Sequence, residues 1–173
     1  MKVIKNKIMD NLLKKLETYK FNKKNVNIEL NHFFNDIYPD IRLYNDDIII
    51  RENENIKNNK LDREYILKTY GNFSAFEDVV NHVHIFDIID CSLMQSLKFG
   101  IIIKDILKNK LKSYFPNEKF VIVLTCDGKD KLNTIIRFHK FRKDEILYDQ
   151  KLIDAFDHKS KKVIPCGFLV EEI

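Results

Sequence analysis

Residues Phe120-Val-Ile-Val-Leu-Thr-Cys126 put apolar side chains at nearly every successive position, so an extended chain here is apolar on both faces. Asp127-Gly128-Lys129-Asp130 then supplies a turn into Leu132 to Phe141, where Thr134, Ile136 and Phe138 alternate with Ile135, Arg137 and His139. The two runs predict an antiparallel hairpin, and the rest of the chain must cover it. With 173 residues the chain fits a single globular domain, 1–173, large enough to bury a sizeable core. A hydrophobic fraction of 45% excludes wholesale disorder, while only 4 Gly and 3 Pro remain to punctuate the elements.

The best-defined cover is a helix from about 92 to 114. Leu93, Leu97, Gly100, Ile101, Ile103, Ile106, Leu107, Leu111 and Tyr114 make its broad apolar face, and Pro116-Asn117 stops it. Val3, Ile4, Ile8, Leu12, Leu13, Leu16 and Tyr19 recur at spacings of three and four, predicting an N-terminal amphipathic helix. Ile41 and Leu43 face Ile48 to Ile50 across Asn45-Asp46-Asp47, a second hairpin after the turn at Tyr38-Pro39-Asp40. Asp62 caps a short helix that Gly71 ends; Ser74 with Glu77 three residues on reads as a capping box for another, leading to Val79, Val80, Val83 and Phe86. A short strand over Glu145 to Tyr148, a helical turn over Leu152 to Phe156 and a closing strand over Val163 to Val170 complete the pattern. The order of runs gives an α+β fold, an antiparallel β-sheet packed by the long helix, the N-terminal helix and the shorter ones.

No apolar run approaches the ~20 residues that span a bilayer, and the lysine-rich start carries no export signal. Cys91, Cys126 and Cys166 are odd in number and sit in apolar surroundings, as reduced cytoplasmic thiols do. The glycines at 71, 100, 128 and 167 stand alone and build neither a Walker loop nor a dinucleotide fingerprint. No cofactor is expected.

The densest polar cluster is His82, His84, Asp87 and Asp90. Those ligand types suit zinc, iron or manganese, and two histidines flanking one residue share a side only on a strand; the pattern places them on or just after a helix. A metal-dependent hydrolase built on them is the alternative reading. A further one is a single-stranded RNA-binding module using Arg137, His139, Phe141 and Arg142, basic and aromatic groups interleaved on a strand. A pI of about 8.8 without ribonucleoprotein motifs argues instead that these aromatics fill the core and these arginines pair with acids. Nucleic acid is therefore not the expected partner.

Formal charge is +4, but it is segregated: residues 1–31 carry +5, 32–90 carry −6 from 12 acidic and 6 basic groups, and 91–173 carry +5. Within the acidic third, Asp36, Asp40, Asp46, Asp47, Glu52 and Glu54 surround Tyr38 and Tyr44. Carboxylates beside tyrosines suit an interface with a basic protein, steered by charge and anchored by rings. The leading expectation is a small cytoplasmic non-enzymatic protein-binding domain, of the immunity or antitoxin kind, meeting a basic partner through Asp36, Asp40, Tyr44, Asp46, Asp47, Glu52 and Glu54.

Overall fold

The computed structural model describes residues 2–20, 27–28, 39–45, 47–51, 61–127, 133–158 and 166–173. Its centre is the expected hairpin, β7 (Phe120–Asp127) and β8 (Asn133–Lys140), paired in register from Phe120 opposite Lys140 to Asp127 opposite Asn133. β9 (Cys166–Glu172) lies on the other side of β7, and β1 (Lys2–Lys5) and β5 (His82–His84) form the two edges. The order β1-β9-β7-β8-β5 is antiparallel throughout, as the α+β reading requires.

Alternation along β7 divides the core. Phe120, Ile122, Leu124 and Cys126 face the long helix α4 (Leu93–Tyr114), where they meet Leu97, Ile103, Leu107 and Leu111. Val121 and Val123 face the opposite side with Phe168 and Val170, beneath Ile153 of the short helix α5 (Gln150–Asp154). A capping box starts α4: Ser92 caps it, and Gln95 returns a bond to the Ser92 backbone N–H at 2.9 Å. The helix comes close enough to the sheet at Gly100 that a Cβ there would lie 2.7 Å from Thr134 Cγ2 and 2.9 Å from Leu124 Cδ1. Near its C-terminal half, Lys104 and Lys108 reach across to buried Glu171 of β9, both at 2.5 Å. Burial alone would raise the Glu171 pKa; the two ammonium groups outweigh it and hold the carboxyl below its ordinary value.

The N-terminal helix is shorter than the apolar stripe predicts. Val3 and Ile4 belong to β1, paired with Val170 and Glu171, and α1 (Lys7–Thr18) begins only after Asn6. Asn6 is the cause: its side chain accepts from Met9 N at 3.1 Å and Phe168 N at 2.9 Å, and donates to Cys166 O at 2.8 Å. One amide thus ends a strand, caps a helix and ties both to β9.

α2 (Arg63–Tyr70) starts at the expected Asp62 cap and ends at Gly71, whose φ of 81° is the left-handed conformation glycine tolerates. α3 (Phe73–Val80) is capped by Asn72, not Ser74, through Ala75 N at 2.7 Å, and it stops at Val80. Residues 82–84 are therefore strand. β3 (Ile41–Tyr44) and β4 (Ile48–Arg51) form the predicted second hairpin, turned at Asn45 with φ of 50°. Ile48 and Ile50 pack with Ile66, Phe73 and Phe76, while Ile49 joins the main core. β2 (Asn27–Ile28) pairs with β6 (Ile89–Asp90). The strand expected over 145–148 is irregular chain, and the predicted 163–165 start of the last strand lies outside the described residues.

Overpacking at the tightest contact gives a direct check. Gly100→Val should cost about 1–3 kcal/mol in urea denaturation, because Thr134 and Leu124 cannot both retreat within a close-packed core.

Candidate partner-binding site

Asp40, Tyr44 and Asp47, three of the residues expected to meet a partner, lie on or beside the β3–β4 hairpin, and a set of side chains mounts that hairpin on the main sheet. β5 pairs with β8 only over Ile135 to Arg137, which leaves the β8 edge at 138–140 to find other partners. β4 likewise has an edge that no strand covers among the described residues. Glu77 and Asn81, one turn apart on α3 and its C-cap, fill the line between them.

Glu77 accepts from Ile49 N of β4 through Oε1 at 2.8 Å and from Lys140 N of β8 through Oε2 at 2.7 Å. Asn81 accepts from Arg51 N at 2.7 Å and donates to Ile49 O at 2.8 Å and Phe138 O at 3.2 Å. Two side chains thus satisfy backbone groups that a missing strand would have paired.

The Glu77 side chain has no exposure, and an isolated buried carboxylate is costly by several kcal/mol. Arg142 answers it with a two-pronged contact, Nη2 to Oε1 at 2.7 Å and Nη1 to Oε2 at 3.1 Å. The same guanidinium donates to Asp47 O at 2.9 Å and Ser74 Oγ at 3.1 Å, so it also staples the hairpin turn. Burial opposes the guanidinium charge, but Glu77, with Asp47 and Glu145, outweighs it and raises the Arg142 pKa further. Glu145 closes the lattice by accepting from Ser74 N at 2.8 Å and Ser74 Oγ at 2.7 Å.

A second polar cluster adjoins the first. Tyr148 OH donates to Asp78 Oδ2 at 2.7 Å, Arg137 Nε lies 3.8 Å from the same oxygen, and His139 Nδ1 lies 3.5 Å from Asp78 Oδ1. Burial, reinforced by Asp78, pushes the Tyr148 hydroxyl far above the usual phenol range. The cavity beside it, lined by His139, Arg142, Glu145 and Tyr148 among others, is about 20 Å³, the room of a single water.

Of the expected site residues, Asp40 is exposed at the start of β3, next to Pro39, whose carbonyl accepts from buried Lys110 Nζ at 2.6 Å. Tyr44 packs half-buried on the Ile48 and Ile50 cluster. Asp47 is committed inside the chain, its carboxylate 3.3 Å from Lys140 Nζ and 3.6 Å from Arg142. Asp36, Asp46, Glu52 and Glu54 lie outside the described residues. No local pattern in the sequence marks Glu77, Asn81 and Arg142 as a unit; the spacing of Glu77 from Ser74 resembles a capping box instead.

The alternatives fare differently. His82 and His84 do lie on a strand and share a side, but Asp87 falls in a following 3-10 turn and Asp90 in β6. Among the described residues no three His, Cys, Asp or Glu side chains are placed to hold a metal. The four residues of the RNA reading do not present one open face: His139 is buried, Phe141 packs on the Val121 and Val170 side of the core, and Arg137 and Arg142 pair with Asp78 and Glu77. Burial also pushes the Cys91 thiol up to about 11 and Cys166 up to about 12, which keeps both protonated near neutrality.

Residues 4–162 match the Uncharacterized protein PM0498 family, and the chain belongs to it. Neither curated proteins nor solved structures gave a match.

The lattice makes a testable claim about energy. Arg142→Met strands the Glu77 charge and should cost about 3–5 kcal/mol in chemical denaturation, whereas Glu77→Gln/Arg142→Met should recover at least ~1 kcal/mol of that loss.

Proposed function

We propose that this PM0498-family protein is a small cytoplasmic non-enzymatic binding domain that covers a basic protein partner, as immunity and antitoxin proteins do. The observation that carries the reading is the mounting of the β3–β4 hairpin. Glu77, Asn81 and Arg142 hold its inner edge and its turn, while Asp40, Arg42 and Leu43 of the outer strand region stay exposed. An element held this firmly loses little conformational freedom on binding, so more of the contact energy is left for affinity.

Charge supports the same reading. Of the twelve acids between residues 32 and 90, Glu77 and Asp78 are buried and offset by arginines and Asp47 is paired with Lys140 and Arg142, which leaves nine against six bases. The surplus that steers a basic partner therefore outlasts the internal pairing, with Asp36, Asp40, Asp46, Glu52 and Glu54 as its source and Tyr44 with Leu43 as the apolar anchor. Asp47 contributes mainly by fixing the turn.

Affinity capture from a lysate of the source organism tests this, with wild type and Asp40→Lys/Leu43→Asp as baits. Wild type should retain one basic protein near stoichiometry, with retention weakening as salt rises from about 50 to about 500 mM. The variant alters only exposed side chains and should retain at least roughly tenfold less. Equal retention by both baits, or no stoichiometric partner, contradicts the proposal.

A further inference from the structure

The His82-Val83-His84 pattern plays no part in partner binding as proposed, and the structure gives it a geometry that its sequence left open. Both histidines belong to β5, where residues i and i+2 project to the same side of the sheet. Their ring centres are 5.0 Å apart. With metal–nitrogen bonds of about 2.0–2.1 Å, two imidazoles on one tetrahedral ion keep their ring centres roughly 5 Å apart, so the spacing already suits chelation.

A second observation concerns the proton. His82 Nδ1 lies 2.5 Å from the Val79 carbonyl oxygen. That oxygen can only accept, so Nδ1 carries the hydrogen, and in the neutral ring the lone pair is then on Nε2. A backbone carbonyl that fixes the tautomer in this way is the outer support found behind metal-bound histidines. His82 is exposed and His84 half-buried, so the pair is reachable from solvent.

The scaffold around them is fixed. β5 is held by β8, with His82 opposite Arg137 and His84 opposite Ile135, and Arg51 Nη1 donates to His82 O at 2.9 Å. Phe86 sets its ring edge-on to His84, 5.4 Å away. Two positive charges lie nearby: Arg51, whose guanidinium is taken up by the His82 carbonyl, and Arg137, which is drawn toward Asp78 at 3.8 Å and donates to Thr125 Oγ1 at 3.2 Å.

We propose that His82 and His84 form a two-histidine site for a divalent metal ion, Cu²⁺, Ni²⁺ or Zn²⁺, whose remaining positions are filled by water or by further ligands. Two imidazoles with no third donor placed beside them among the described residues differ from the closed four-ligand sets of structural zinc. Cu²⁺ binds tightest, in line with the general order for nitrogen ligands. Protons compete with the metal for imidazole nitrogen, so binding weakens on acidification.

The test uses the untagged full chain and the metal chlorides alone. Calorimetric titration should give one ion per chain, and substoichiometric Cu²⁺ should broaden the imidazole proton resonances of His82 and His84 before those of the other histidines. His82→Ala and His84→Gln should each weaken binding by roughly tenfold or more, while His158→Ala leaves it unchanged. His82 is exposed, so its variant keeps the fold, and Zn²⁺ should raise the Tm of wild type but not of His82→Ala. Undiminished binding by His82→Ala, first broadening at another histidine, or no saturable binding overturns the proposal.

Discussion

The Glu77 carboxylate has no solvent to hold its charge, and that constraint organises much of the molecule. Its two oxygens are divided between strands from different sheets, one amide each, and both also face the guanidinium of Arg142. Remove the arginine and the charge is stranded; remove the carboxylate and both strand edges lose an acceptor. A buried ion pair of this kind adds little net stability over apolar packing, but it ties specific backbone atoms together. Here it makes the hairpin, α3 and β8 mutually dependent.

Helix side chains therefore stand where sheet hydrogen bonds would otherwise run. The arrangement lets β4 present Ile49 to the main core and Ile48 with Ile50 to a smaller one beneath α2 and α3. On the far side of the sheet the same economy recurs at Asn6, which ends β1 and caps α1 with one amide group. Both junctions place a polar side chain where two elements meet.

Most regular elements were legible in the sequence because their signals are local. The β7–β8 hairpin follows from a run apolar on both faces, α4 from its stripe and its Ser92 start, and α2 from Asp62 and Gly71. Three features were not legible. Val3 and Ile4 fall on the helical stripe of α1 by spacing alone, and only pairing with β9 makes them strand. Glu77 sits three residues after Ser74 and so resembles a capping acid, while its real partners lie 28, 63 and 65 positions away. Asp47 looks like a surface carboxylate until Lys140 and Arg142 are brought beside it. Burial of a charge is decided by tertiary contacts, and no local pattern announces it.

Native-state hydrogen exchange tests the central claim most directly, because the amides of Ile49, Arg51 and Lys140 donate to side chains instead of strands. In wild type these three should be protected nearly as well as Leu124 in the middle of β7. In Glu77→Gln their protection should fall together, by roughly a hundredfold or more, while Leu124 stays protected. Solvent-like exchange at the three amides in wild type, or undiminished protection in the variant, would contradict the account.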